Sequence, residues 1–383
     1  MITNRLKDNK IKMTVNLDTR SVESASATEF YLSATAADDA PLQDQAQEIF
    51  STIRDTLRSK KAYILQERVF STEGAAETLR RTRLQAYGDL DDGVAPAFLV
   101  AEEGLSGPIA GVQVHAVSSS RRPEVIDLEG NLCGRILRMP GRAYLTLSSI
   151  SDQKHKQAPE QARAMMKKVE DALNKLGADF LSVPRTWMWL KDILSWYDDF
   201  NQVRTSFFKE WGLIGAGTRQ SMPASTGIGL GPADGGHCAM DLMAVLEPTD
   251  CTQYLQTTGK QHCAFEYGSA FSRAARSIMP AGDAVFVSGT ASIDADGATT
   301  HIGDAKGQIN ATIENVRAVL SEMQCRDGDV VHVVAYCKTI EVEKVFDSIK
   351  GKLAWPWLTV ICDICRPDLL FEIEATAMPR QRT

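Results

Sequence analysis

Apolar residues recur along this chain with two different periods. They alternate one by one in "IAGVQVHAV" (109–117) and "RAYLTLSSI" (142–150), whereas Met165, Val169, Leu173 and Leu176 return at every third or fourth position. The first rhythm puts one strand face in a core and the second builds one apolar helix stripe. "AFLVAEEG" (97–104) and "IAGVQVHAV" therefore predict two strands around a Gly-Pro turn, and "RAYLTLSSI" continues the sheet. A helix through Leu176 follows, stopped by Gly177 because glycine adopts the left-handed conformation that ends helices. "ADFLSV" (178–183) resumes the sheet and "DLMAVLEP" (241–248) closes it. The order then repeats, with strands in "DAVFVSGTASI" (283–293), "DVVHVVAYCKT" (329–339), "LTVICDIC" (358–365) and "LLFEIEATAM" (369–378). Between them lie one helix marked by Ile309, Ile313, Val316, Leu320 and Met323, and another marked by Val342, Val345, Phe346 and Ile349. The pattern predicts an α+β class with one module stated twice: residues 48–246, then 259–383, joined where "EPTDCTQYLQTT" (247–258) loses its period. Residues 1–47, polar and Ser/Ala-rich over much of their length, read as a partly flexible extension.

Composition narrows the class. A length of 383 residues suits two cores better than one, and a net charge of −7 argues against a general nucleic-acid binder. No apolar run is long enough for a membrane span, which points to a cytoplasmic protein without membrane partners. Eight cysteines are dispersed through the chain and are expected as reduced, mostly buried thiols. Cys362 and Cys365 have metal-ligand spacing, but on a strand they point to opposite faces. The six histidines show no metal-binding spacing, so no metal site is expected from them. Gly227, Gly229 and Gly231 match no nucleotide fingerprint and read as a close-packed backbone turn.

Two groups of residues suggest chemistry. Arg185, Arg204, Arg219 and Arg273 stand in apolar or Ser/Thr/Gly-rich sequence, where a partly buried guanidinium needs either an internal carboxylate or a carboxylate-bearing ligand. In "FEIEAT" (371–376), Glu372 and Glu374 share one strand face. That face is either solvated, leaving both glutamates inert, or it turns one of them into a pocket as a proton donor.

Residues 285–376, with "VSGTASID", "GDAKGQINATIENVRAVL", "GDVVHVVAYCKT", "VFDSI" and "FEIEATA", resemble the Rid superfamily of small α+β modules that trimerise around intersubunit clefts. "PRTWMWLKDILSWYDDFNQVR" (184–204), "PASTGIG" (223–229) and "YGSAFSRA" (267–274) extend the resemblance, from about Gly88 to the C-terminus, to the chorismatase family, in which a degenerate Rid-like module precedes a recognisable one. The resemblance implies an enzyme that takes chorismate, the small-molecule partner, and releases pyruvate without metal or cofactor. It implies Glu372 as the acid in preference to Glu374. It also implies carboxylate contacts from Arg204, Arg219 and Arg273, with Tyr197, Ser225, Thr226, Gly268 and Ser269 around the substrate and Arg185 structural. Gly268 and Ala270, together with Ile361 where the hydrolytic branch is expected to carry cysteine, imply 3-hydroxybenzoate as product; a dihydroxycyclohexadiene carboxylate is the alternative. An imine deaminase of the Rid type competes, but the arginine that such an enzyme carries before its penultimate strand is missing from "WPWLTVICDIC" (355–365). A pocket between the modules of one chain is expected, in a monomer or a homotrimer.

Overall fold

The computed structural model describes residues 15–37, 40–215 and 220–379. Its strands fall into three six-stranded sheets. The first sheet belongs to a unit made of β1 (Val15–Glu23), β2 (Ala27–Ala36), α1 (Leu42–Lys60), β3 (Tyr63–Ser71), α2 (Glu73–Tyr87), β4 (Ala97–Val100) and β5 (Ile109–Ser119). A second unit comprises β6 (Glu124–Leu128), β7 (Asn131–Met139), β8 (Arg142–Ser151), α3 (Ala158–Lys175), β9 (Arg185–Leu190), α4 (Tyr197–Glu210), β10 (Ala224–Ile228), β11 (Gly231–Pro232) and β12 (Cys238–Glu247). The third contains β13 (Gln253–Leu255), β14 (Ala274–Met279), β15 (Gly282–Ala291), α5 (Ala305–Glu322), β16 (Val330–Cys337), α6 (Ile340–Lys350), β17 (Trp357–Ile361) and β18 (Phe371–Ala377).

The spatial orders β1-β2-β5-β3-β4, β7-β8-β12-β9-β10 and β14-β15-β18-β16-β17 are the same arrangement three times over. Each is a strand pair, a helix, a strand, a helix and two closing strands, with the last strand inserted in mid-sheet. The α+β class and the recurrence of the module hold, and the recurrence goes one step beyond the two expected. Residues 15–47 are not an extension: they supply β1, β2 and the start of α1, and β2 pairs along its length with β5. The expected span 48–246 therefore runs across two units. Two local expectations also change. β4 and β5 do not form a hairpin, since both flank β3. Residues 180–182 form a 3-10 turn, and the sheet resumes only at β9.

Strand alternation explains how the units assemble. Along β9, Met188 and Leu190 face a core shared with α3 and α4, while Trp187 and Trp189 face the other way. The outward faces of all three sheets meet in one central core that includes Tyr31, Phe70, Trp187, Trp189, Phe286 and Tyr336. The helices lie outside and the sheets wall a common interior. A buried tryptophan removes roughly 150–250 Å² from water, worth ~4–6 kcal/mol of transfer free energy. Trp187 and Trp189, 3 % and 0 % exposed, thus tie the second unit to its neighbours. Isolated bridges between Gly229 and Asp363, and between Glu102 and Ile361, fasten the third unit to the second and the first. No helix among the described residues is long and apolar enough to cross a membrane.

Candidate active site between the second and third units

β18 places Phe371, Ile373 and Ala375 in the helix-side core of the third unit, so Glu372 and Glu374 both turn inward toward the neighbouring sheets. Each is 4 % exposed, which removes the solvated reading for both. Their surroundings differ. Glu374 Oε2 accepts from Arg185 Nη2 at 2.8 Å and its Oε1 accepts from Trp187 Nε1 at 3.0 Å. The same Arg185 nitrogen reaches Thr226 Oγ1 at 2.7 Å, and the guanidinium lies 4.4 Å from the Trp187 ring centre. Glu374 is therefore the acidic half of a buried ion pair, and Arg185 is the arginine whose partner is internal.

Glu372 makes no such pair among the described residues. Its carboxyl group lies against Gly289, where a Cβ would come within 2.1 Å of Oε1, so only glycine leaves it room. Burial, with the charge on Glu374 adding to it and Arg185 opposing, pushes the Glu372 carboxyl up to about 8. At neutral pH it is mostly protonated. The same position at Gly289 would bring a Cβ within 3.3 Å of Thr226 Cγ2, so the carboxyl sits at the junction with the second unit, beside which Tyr197 and Cys365 line a cleft.

That cleft has a volume of about 620 Å³ and is open to solvent. One wall is α4, with Tyr197, Asn201 and Lys209; the other comprises Tyr267, Gly268, Ser269, Cys365 and Arg366 from the third unit. Arg204 on α4 is 1 % exposed and donates Nη2 to Asn201 Oδ1 at 2.6 Å, and its Nε has no partner among the described residues. Burial lowers its pKa, as expected where no carboxylate compensates the charge. Burial pushes the Tyr197 phenol up to about 12, so it remains a neutral donor. Gly227 sits beneath the Tyr197 ring, where an added Cβ would lie 3.6 Å from the ring edge. Gly229 donates its N–H to the Asp363 carbonyl at 2.9 Å, the close backbone approach expected of this glycine run.

The remaining expected residues take different positions. Arg273, 2 % exposed, directs Nε and Nη2 to the His262 carbonyl at 3.0 and 2.7 Å and Nη2 to the Tyr267 hydroxyl at 2.5 Å. It braces the 262–268 segment and is not among the residues that line the cleft. Ser225 accepts a hydrogen bond from Thr186 at 3.0 Å, and Thr226 is held by Arg185, so both hydroxyls have internal partners. Arg219 lies outside the described residues. Gly268 has φ +95°, and a Cβ there would meet nothing within 4 Å. Ala270 is fully buried in the second core. Ile361 points into the third unit's core, away from the cleft, and its neighbour Cys362 is the one whose thiol pKa is raised by Glu372, after burial. Asn201, Tyr267, Cys365 and Arg366 were not anticipated; only Arg366, an arginine beside a proline after an apolar strand, carried a signal in the sequence.

The other two junctions are bridged by internal partners. Between the first and second units, Arg135 pairs with Asp92 at 2.6 Å and Arg68 with Asp241 at 3.3 Å. Between the third and first, Glu343 accepts the Leu105 N–H at 2.8 Å and Ile361 bridges Glu102. At the second junction, Arg204, Arg273 and Arg366 have carbonyl, amide or phenol partners and no described carboxylate within ion-pair distance.

Comparison with known proteins agrees with this geometry. A family model described as Endoribonuclease L-PSP matches residues 265–379, the third unit. A RutC family protein of Pyrococcus abyssi is 31% identical over 25% of this chain and 79% of its own length. A 3-hydroxybenzoate synthase of Streptomyces hygroscopicus is 28% identical over 57% of this chain and 69% of its own. A crystal structure of a chorismatase has the same fold, with a TM-score of 0.61 at 19% identity over 95% of this chain and 98% of that one. The chain has the fold of a chorismatase over nearly its whole length and belongs to the RutC family, the Rid superfamily of the sequence resemblance.

Proposed function

We propose that the protein converts chorismate to 3-hydroxybenzoate and pyruvate, with Glu372 as the acid. One observation carries this reading: a buried carboxyl held protonated at neutral pH lies at the one junction where two arginines, Arg204 and Arg366, have no described carboxylate to pair with. Chorismate supplies what such a site lacks, two carboxylates and an enol ether that accepts a proton. Charge-assisted pairs with planar guanidinium groups would both attract and orient it. The name of the Streptomyces relative supports the same product.

In the proposed reaction Glu372 delivers its proton to the methylene carbon of the enolpyruvyl group, making that group a good leaving group. The neighbouring ring hydroxyl closes on the carbon from which the ether oxygen departs, giving an arene oxide and pyruvate. Opening of the arene oxide and loss of the ring proton yield the phenol. Atoms balance without added water, and a proton returns to the glutamate. Glu374 takes no proton in this scheme: it anchors Arg185 and, by its charge, helps keep Glu372 protonated. Tyr197 and Arg204 contact the substrate; Arg273 shapes the segment that carries Gly268 and Ser269.

The test is incubation of the purified protein with chorismate in ¹⁸O-labelled water, with pyruvate assayed and products separated. Pyruvate with unlabelled 3-hydroxybenzoate is the expected result. A dominant non-aromatic diol would assign the hydrolytic outcome instead, and absence of pyruvate above the uncatalysed rate would end the chorismate reading.

A further inference from the structure

Arg204 lies buried behind the α4 wall of the cleft, and a second guanidinium, that of Arg366, lines the cleft itself. Arg366 is half-buried and lines the cleft opposite α4. It donates Nη1 to the Gly297 carbonyl at 2.6 Å, which fixes one edge of its plane, and its guanidinium carbon lies 5.3 Å from the Tyr267 ring centre. The same ring has Arg273 5.4 Å away, and that arginine also grips the Tyr267 hydroxyl. Tyr267 is thus held by one arginine and supports the other. Gly297 completes the support: at φ +79° it packs against the tyrosine ring, where a Cβ would approach to 2.5 Å. A guanidinium with one edge bound to a carbonyl, one face on an aromatic ring and no described carboxylate partner is pre-oriented for an anion arriving from solvent.

We infer that Arg366 binds the ring carboxylate of the substrate and so sets which end of the molecule enters first. This rests on the chorismate reading. Glu372 and Arg204 are buried while Arg366 is half-buried, so if Glu372 protonates the enolpyruvyl methylene, the enolpyruvyl group lies toward the buried end. The ring and its carboxylate then point outward, toward Arg366. Arg366 is a specificity-determining binding residue and takes no part in proton transfer.

Calorimetric titration with 3-hydroxybenzoate, which keeps the ring carboxylate, and with 3-hydroxybenzyl alcohol, which lacks it, separates this role from a structural one. Arg366→Ala is expected to weaken the acid at least tenfold and to leave the alcohol within twofold, with Arg366→Lys intermediate for the acid. With chorismate, Arg366→Ala should raise KM about tenfold while kcat stays within about threefold. Unchanged affinity for the acid, or equal loss of acid and alcohol in both variants, overturns the inference while pyruvate release by the unsubstituted protein leaves the chorismate reading standing. No pyruvate from the unsubstituted protein removes that reading and the inference together.

Discussion

Glu372 and Glu374 stand two residues apart on one strand face and meet opposite electrostatic fates, so substitutions at the two should be distinguishable. Glu372→Gln keeps the shape and removes the proton; turnover is expected to fall 10²- to 10⁴-fold, about 3–5 kcal/mol, with substrate binding retained. Near-normal turnover in that variant would remove Glu372 as the acid. Because the acid must be protonated, kcat of the unsubstituted protein should fall as the pH rises through about 8. The same carboxyl links stability to pH. Its folded value of about 8 lies above the ordinary 4.5, so the folded state holds the extra proton between them, and the stability this provides is complete below about 4.5 and gone once the pH has passed about 8. Glu372→Gln should accordingly melt higher than the unsubstituted protein at pH 9, a gain that shrinks toward pH 5. Glu374→Ala should instead destabilise by ~3–5 kcal/mol, since it strands the Arg185 charge in the interior. The alternation of "FEIEAT" put both glutamates on one face, but their separate roles depend on Arg185 and Trp187, nearly two hundred positions earlier, which no local pattern connects to β18. The four arginines were equally ambiguous: Arg185 found an internal carboxylate and Arg204 did not, although both stand in similar sequence.

At the scale of the element, the periodic segments were the legible ones. α3, α5 and α6 arise where apolar residues recur at helical spacing, and Asp304 and Thr339 cap the latter two by accepting from Gly307 and Val342. β1 and β2 went unread because their outer faces carry Asp, Arg, Ser and Thr, so the pattern fades into the composition of a linker. β4 and β5 were misread as a hairpin because adjacency along the chain stood in for adjacency in the sheet, while β3 comes between them. On the proposed function, the short segment containing Gly268 is expected to influence the product at this scale. Gly268→Ala would put a methyl group into the open space of the cleft and force alanine into a left-handed conformation, a strain of about 1 kcal/mol. One methyl is worth ~1–3 kcal/mol of discrimination, so chromatography should show a shift from 3-hydroxybenzoate toward the diol and not a loss of turnover. An unchanged product ratio would take this position out of product control. Ile361 contributes nothing here, because its side chain lies in the third core.

For the whole molecule, the threefold recurrence means that one chain already contains the ring of modules that the superfamily resemblance associates with three subunits. The cleft lies between units of the same chain, so mixing Arg204→Ala, in the second unit, with Glu372→Gln, in the third, should restore no activity; recovery in the mixture would show that chains share the site. The central core draws side chains from all three sheets, and a unit expressed alone would expose that apolar face. Of the three junctions, ion pairs bridge the first, a carboxylate–amide contact and a backbone bridge join another, and the junction between the second and third units carries, beside the Arg185–Glu374 pair, arginines that have no described carboxylate partner. Three identical subunits would open all their clefts alike, and occupation of one could be felt at the next. Here one chain offers one such cleft, so chorismate should bind with a stoichiometry of one per chain and saturate the rate hyperbolically, with a Hill coefficient of about one.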